Sequence, residues 1–308
     1  MEAETNLAEA TDMEADLSEK TKFTLKTIVM NTKIKYYILI IAISILPLFS
    51  LAQTDEKLDP EVGGRISLSL NKRIVKGLHV SLEEEIRFDN NFKSFNRFHT
   101  TVGLSYKPCE YVKLGIGYAF INPYDSDDKA FKMRHRIIAD VTGTVKAGNW
   151  SFSLKERLQT TIRTKDYNAY QNPKAAITLK SRFTVKYKGF GKVTPYAYVE
   201  IRNYLNTPVI SAYYNGSVYF TEDDGVYTDS GDAGWFLSSF KGGYLNRVRG
   251  SIGIDWRIDK HNTLNFYFMG DYVRDKVIDA NKEGTVLKSY TLEKGFMGWF
   301  GVGYEFGF

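Results

Sequence analysis

The sequence predicts an all-β protein, an antiparallel transmembrane β-barrel of about 10–12 strands with short periplasmic turns and long extracellular loops. Three observations lead to this fold class. Apolar and polar residues alternate over long stretches, the connections between the stretches are short and long in turn, and no helical period competes after residue 53. In hydrocarbon every backbone N–H and C=O group must be paired, so strands cross a bilayer only as a closed sheet.

The first 52 residues are expected to lie outside the barrel. Residues 1–29 are acidic and polar, and we expect them to be an upstream over-extension of the start. Residues 30–52 read as a signal peptide, because Lys33 and Lys35 precede an apolar run and a small-x-small cleavage site ends at Ala52. The alternative is a cytoplasmic tail on an anchor, although the apolar run is short for a spanning helix of about 20 residues. Export predicts a location in the cell outer membrane.

The barrel is expected to occupy residues 53–308, where eleven stretches show the period of two that is typical of strands. They are Ile66–Leu70, Leu78–Phe88, Phe98–Tyr106, Val112–Phe120, Ile137–Val145, Trp150–Ile162, Ile177–Tyr187, Val193–Ile201, Val248–Trp256, Leu264–Tyr272 and Gly298–Phe308. Eleven strands cannot close with every pair antiparallel. Ten or twelve are therefore the candidates, and twelve is preferred. Either a strand is missed, at Leu58–Glu61 or within residues 206–243, or the first is not a full strand.

The longest connection, residues 206–243, is predicted to be an extracellular loop rich in aromatic side chains. Such a loop is either a binding surface or a lid over the barrel mouth. Acidic runs at Asp125–Asp128 and Thr221–Gly225 match no calcium-binding spacing and are expected to be solvated loop tips, with divalent-bridged contact to lipopolysaccharide as the alternative.

The final stretch, "GWFGVGYEFGF", places its even-numbered aromatic residues toward lipid and its glycines toward the lumen. Those glycines leave room for neighbouring side chains to cross the lumen. The ending also resembles the C-terminal signal by which the outer-membrane insertion machinery recognises barrels, which would be carried by Tyr304, Phe306 and Phe308. Two carboxylates, Glu84 and Glu156, fall on the lipid-facing parity, and we expect them near a rim or after a β-bulge that resets the face.

The inward parity carries charged residues of both signs, which predict an ionic network in the lumen. Its members are Glu83, Glu85, Arg87, Arg136, Asp140, Arg157, Arg182, Glu200, Arg202, Arg249, Asp255 and Arg257. One interpretation is a set of Arg–carboxylate pairs that fills the lumen of a structural barrel. Another is a narrow, porin-like channel whose arginine excess favours small anions.

Two further alternatives remain open. A membrane-embedded lipid hydrolase or deacylase would need a rim-sited catalytic group, and His99 is the residue to test, although no catalytic residue is assigned. A secreted β-sandwich also has one apolar face, but its strands are usually nearer about five to six residues long. We expect no metal, no cofactor and no nucleic-acid partner, and an inert Cys109. The lipid bilayer and lipopolysaccharide are the expected partners, and the oligomeric state is left open.

Several segments, in order, resemble an uncharacterised Bacteroidota outer-membrane family, domain of unknown function 2490, over about Val62 to Phe308. They are "LEEEIRF", "GIGYAF", "RHRIIAD", "LKERLQ", "LKSRFTVKY", "PYAYVEIR" and "NRVRGSIGIDWRI". The resemblance implies an outer-membrane barrel in a Gram-negative bacterium. It implies no activity, substrate or catalytic residue.

Overall fold

The computed structural model describes residues 55–57, 60–126, 128–164, 168, 171–214, 217–221, 234–280 and 287–308. The predicted over-extension and signal peptide, residues 1–52, lie outside the described residues. No helix among the described residues is long and apolar enough to cross a membrane.

Eleven strands of the described chain form one closed sheet. They are β1 Glu61–Val75, β2 Leu78–Asp89, β3 Ser94–Tyr106, β4 Val112–Asp125, β5 Arg134–Ala147, β6 Trp150–Arg163, β7 Ala175–Tyr187, β8 Val193–Tyr214, β9 Gly234–Arg257, β10 Asn262–Ala280 and β11 Leu287–Gly307. Three short strands lie beside them: Asp55–Lys57 on β11, Ala130–Phe131 on β4 and Ser217–Thr221 on β8. The predicted fold class, an all-β barrel, is confirmed.

The sheet closes by a parallel pair. Each strand from β1 to β11 is antiparallel to the next, but β11 pairs with β1 in parallel, from Met297↔Glu61 to Gly307↔Asn71. The preference for twelve strands was therefore wrong, because it required every pair to be antiparallel. A parallel ladder also pairs every backbone group, so an odd number of strands leaves no open edge.

The two faces of the sheet differ as the alternation predicts. Apolar residues on the outer parity are exposed, such as Ile116 at 63%, Ile137 at 57% and Ile252 at 64%. Several charged residues on the inner parity are buried, with Glu200 at 4% and Asp271 at 0% exposed. Apolar side chains that face outward around a closed barrel are suited to lipid, since water makes such exposure unfavourable.

The connections separate into two ends of the barrel. The short-turn end contains residues 76–77, 107–111, 148–149, 188–192 and 258–261. The long-loop end is the end at which β2 is followed by β3, β4 by β5, β6 by β7, β8 by β9 and β10 by β11. Gly77, at φ +84°, occupies the two-residue turn between β1 and β2, where a side chain would be strained.

The loop predicted at residues 206–243 is shorter than expected. β8 continues to Tyr214 and β9 begins at Gly234, so strand occupies both ends of that segment. Periodicity did not show this because bulges interrupt the β8–β9 register four times between Arg202 and Ile210. The predicted aromatic surface of this segment lies largely outside the described side chains.

Candidate functional site in the lumen

A row of charged residues crosses five consecutive strands of the inner wall. Lys155, Arg182, Glu200, Arg249 and Asp271 stand directly opposite one another from β6 to β10. Cross-strand neighbours on one face are close enough for side-chain contact. The register therefore brings bases and acids into one row, which we call the ionic row.

This row holds the most buried ion pairs of the described lumen. Arg249 donates to Asp271 through Nε at 2.5 Å and Nη2 at 3.0 Å, and to Glu200 through Nη1 at 3.2 Å. Arg182 donates to Glu200 at 2.8 and 2.5 Å, and Arg247 donates to Asp271 at 2.9 Å. Bases and acids alternate along this chain, which satisfies both buried carboxylates.

Two smaller groups lie on β2 to β6, and the first of them shares Lys155 with the row. Asp140 accepts from Arg157 at 3.2 and 2.9 Å and lies 3.2 Å from Lys155 Nζ. Glu85 accepts from Arg87 Nε at 2.5 Å. His99 Nδ1 lies 3.7 Å from the same Glu85 carboxylate.

The other predicted network residues are not joined to these groups. Asp255 pairs with Lys186 at 2.7 Å, near the short-turn end. Arg136 donates to the Thr161 hydroxyl at 2.9 Å. The remaining members have no carboxylate contact among the described residues: Arg202 donates to Asn246, Arg257 to the Gly191 carbonyl, and Glu83 is exposed.

Three aromatic side chains, one methionine and one arginine pack at mid-lumen. Tyr267 lies over Gly301, where an added Cβ would be 1.9 Å from the ring. The Arg65 guanidinium stacks 4.5 Å from the centre of the Trp299 ring, and these residues are 6% and 5% exposed. Met269, which accepts from Tyr198 Oη at 3.2 Å, is 1% exposed. We call Arg65, Tyr198, Tyr267, Met269 and Trp299 the closing layer.

A polar cavity of about 580 Å³ lies toward the short-turn end. Ser67, Lys186, Asp255, Asn265 and Glu305 are among its lining residues. These positions lie toward the short turns, and Arg65, Met269 and Trp299 of the closing layer are at most 6% exposed.

The two lipid-facing carboxylates lie neither at a rim nor after a bulge. Glu84 accepts from the Thr100 hydroxyl at 2.5 Å, and Glu156 accepts from the Ser181 hydroxyl at 2.6 Å. The β6 register is regular around Glu156. The expectation for these residues was therefore wrong. A hydroxyl on the neighbouring strand partly compensates each carboxylate instead.

The histidines do not assemble a catalytic group in the described part of the chain. In the cross-strand row Ser67↔Glu85↔His99 the acid stands between serine and histidine. A catalytic triad instead needs the histidine between the serine and the acid. His99 Nε2 has no described partner, and His135 Nδ1 lies 2.5 Å from the outward Tyr118 hydroxyl.

No described group of His, Cys, Asp and Glu is placed to hold a metal ion. In the acidic run Asp125–Asp128, Asp125 and Asp128 lie 2.7 and 2.6 Å from Lys132 and raise its pKa above the ordinary value. Asp127 and most of the Thr221–Gly225 run lie outside the described residues. Cys109 is exposed and free.

Of the predicted C-terminal signal residues, Tyr304 and Phe306 lie on the final strand at the short-turn end, and Phe308 directly follows it. The Tyr304 hydroxyl donates to Asn262, and Phe306 lies 5.6 Å from Phe308 between ring centres. The Phe308 amide donates to the Asn71 carbonyl at 2.9 Å, so the last residue is tied to β1. Its ring is 53% exposed on the outer face.

Three important lumen residues were missing from the predicted network: Arg247, Asp271 and Asn246. Asp271 and Asn246 are both 0% exposed. The parity of β10 already placed Asp271 inward, so that signal was available. Asn246 is the extra residue of a bulge opposite Arg202 and Asn203, which simple alternation does not reveal.

Comparison with known protein families gives one match. Residues 66–220 match the family described as "Protein of unknown function (DUF2490)". The chain belongs to this family. The match confirms the resemblance to DUF2490 over half of the chain. The matched segment ends at residue 220.

Other comparisons add little about this DUF2490 member. No curated protein matches it. Among solved structures, a NanC porin in a rhombohedral crystal form is similar, with 12% identity and a TM-score of 0.36 over 80% of this chain and 98% of that chain. The barrel fold rests here on the strand pairing of the chain itself.

Proposed function

We propose that this protein is an outer-membrane β-barrel of a Gram-negative bacterium in the Bacteroidota, and that it forms a closed wall rather than an open diffusion pore. The closing layer is the observation that carries this proposal. A pore for solutes needs a continuous water-filled path, but Arg65, Met269 and Trp299 are at most 6% exposed at mid-lumen. The ionic row from Lys155 to Asp271 stiffens the same wall.

The location belongs to the same proposal. An export signal over residues 30–52 would deliver the chain across the inner membrane, and Tyr304, Phe306 and Phe308 would present it to the insertion machinery. The exposed apolar outer face supports a lipid bilayer as its environment. Lipopolysaccharide is then the expected neighbour of the long-loop end.

The test is single-channel conductance of the purified barrel in planar bilayers. We expect wild type to be silent and the double variant Tyr267→Ala with Trp299→Ala to conduct, because it removes two of the three rings of the closing layer. The matched control is Tyr272→Ala, which removes an outward ring of β10 that is 43% exposed. Discrete steps from wild type would refute the closed wall.

A second candidate is a narrow channel for small anions. It is favoured by lumen bases that have no carboxylate partner among the described residues, such as Arg134 and Arg136. Anion-biased steps from wild type would establish it. No described contact favours the lipid hydrolase alternative.

A further inference from the structure

Bases outnumber acids in the part of the lumen between the closing layer and the long-loop end. Six of these bases have no carboxylate oxygen of a described residue within 4.0 Å. We call them the basic vestibule: Arg97, Arg134, Arg136, Arg163, Lys180 and Arg202. All six residues are partly exposed, and we infer that a solute can reach them from the long-loop end.

The six side chains form one cluster that crosses the lumen. Arg97 on β3 interacts electrostatically with Arg134 and Arg136 on β5, and Arg136 interacts with Arg202 on β8. Lys180 on β7 interacts with both Arg136 and Arg202, and also with the Glu200 carboxylate of the ionic row. Because β3, β5 and β8 are not neighbouring strands, these bases surround a common space.

Like charges stand directly opposite one another in this region. The register pairs Arg134 with Arg163, Lys180 with Arg202, and Arg87 with Arg97. Such pairs destabilise a sheet, because the side chains of directly opposite residues are neighbours. A ligand of opposite charge would turn this repulsion into attraction.

The few contacts of these bases leave most of their donors available. Arg136 donates to Thr161, Arg97 to Asn96 and Arg202 to Asn246, each through neutral acceptors. Among the described residues no hydrogen bond is made by the side chains of Arg134, Arg163 or Lys180. A guanidinium has five N–H donors in a planar fork that fits carboxylate and phosphate oxygens.

A second observation comes from the floor of this space. Arg65 is 6% exposed, and its Nε and Nη2 atoms are buried without a hydrogen-bond partner. It stands directly opposite Arg87 and interacts electrostatically with Arg97. Buried polar atoms are normally satisfied, so these two donors point to a missing acceptor.

We propose that the basic vestibule binds a soluble, multivalent oxyanion, a small solute that carries two or more phosphate or carboxylate groups. Several forks around one space match several oxygens, which favours such a solute over chloride. A lipid headgroup is disfavoured because its acyl chains would have to leave the bilayer and enter a polar lumen. Binding needs no passage through the closing layer, so this inference does not depend on whether the barrel conducts.

The test is calorimetric titration of the purified full chain in detergent with pyrophosphate and with citrate, against sodium chloride at equal ionic strength. We expect saturable binding of at least one oxyanion at about one site per barrel and none of chloride. Arg134→Gln with Arg136→Gln should weaken it by about tenfold or more. Arg257→Gln, which removes a lumen charge at the short-turn end, should leave it unchanged.

Thermal unfolding provides a second readout. Without ligand, Arg134→Gln should be no less stable than wild type, because it removes the repulsion with Arg163. With pyrophosphate or citrate, wild type should be stabilised and the double variant should not.

Three results would overturn the proposal. The first is that neither oxyanion binds more tightly than chloride, and the second is that Arg257→Gln weakens binding as much as the vestibule variant. The third arises in a parallel titration with lipopolysaccharide. If that lipid binds in a manner dependent on Arg134 and Arg136 while both soluble oxyanions fail, the ligand is a headgroup and not a soluble solute.

Discussion

Asp271 is the residue whose removal should most weaken the barrel. It is 0% exposed and accepts three hydrogen bonds, two from Arg249 and one from Arg247. In Asp271→Asn the negative charge is lost, and the amide keeps one acceptor oxygen. Arg247 then loses its ion pair, and Arg249 keeps only its 3.2 Å contact with Glu200.

The size of the effect follows from these contacts. A hydrogen bond to a charged group contributes about 1.5–3 kcal/mol, and at least one of the three cannot be kept. Removing one partner of a buried ion pair typically costs about 3–5 kcal/mol, because the other charge stays buried. We therefore expect Asp271→Asn to lower the free energy of unfolding by roughly 3–5 kcal/mol.

The assay is denaturant-induced unfolding in lipid vesicles, followed by the fluorescence of the four tryptophans. Asp255→Asn is the matched control, because its carboxylate pairs with one base, Lys186, and is 26% exposed. An exposed pair is worth about 0–1 kcal/mol. If the two variants lose the same stability, the ionic row does not hold the wall together.

A double-mutant cycle tests the pairing itself. Asp271→Leu with Arg249→Met removes both charges and should cost less than the sum of the single changes. Additive losses would show that burial of the side chains, and not their charge, sets the stability.

Three further predictions follow from other parts of the barrel. Cysteines placed at Ile66 and Val302, in a chain without its native cysteine, should form a disulfide because the parallel register places these residues opposite each other; failure to cross-link would contradict the eleven-strand closure. Glu156→Leu with Ser181→Ala should raise the free energy of unfolding by about 1–2 kcal/mol in the same vesicle assay, since lipid-facing carboxylates are unfavourable, and a loss would mean that the pair has another partner. Hydrogen bonds from the His261 amide and from Asn262 lower the pKa of Asp259 in the β9–β10 turn. Its contribution to stability should be present at pH 7 and lost as the pH falls from about 3.9, the ordinary aspartate value, through the lower folded value. The thermal difference from Asp259→Asn should shrink between pH 7 and pH 2, and a constant difference would refute the assignment.

The face of each charged residue was predictable from the sequence, whereas its partner was not. Alternation placed Glu200 and Arg249 on the inner side, because successive residues of a strand point to opposite faces. Which acid meets which base depends on the register between strands, and period-two alternation within a strand leaves that register undetermined. The network was therefore predicted as a set of members, without the chain of contacts from Arg182 to Arg247.

Bulges are a second reason why the site was only partly predictable. The register of β8 and β9 shifts between Arg202 and Asn203, and this shift makes Asn246 the unpaired residue beside Arg247. Asn246 then bridges Arg202 and Asp275. No motif in the sequence marks that position, because a bulge changes the pairing without changing the residue types that surround it.

The closure of the barrel explains why the surplus of positive charge gathers toward one end. Arg65 on β1 stands between Arg87 on β2 and Gly301 on β11, so neither neighbour offers it a carboxylate. The space over Gly301 is filled by the Tyr267 ring, which leaves Arg65 to stack on Trp299. The acids of the ionic row are meanwhile paired with other bases of that row.

A net charge of +5 for the whole chain is modest, so composition alone does not predict the basic vestibule. The vestibule arises because the register pairs the acids with bases in the rows nearer the short-turn end. Toward the long-loop end, it leaves like charges opposite each other.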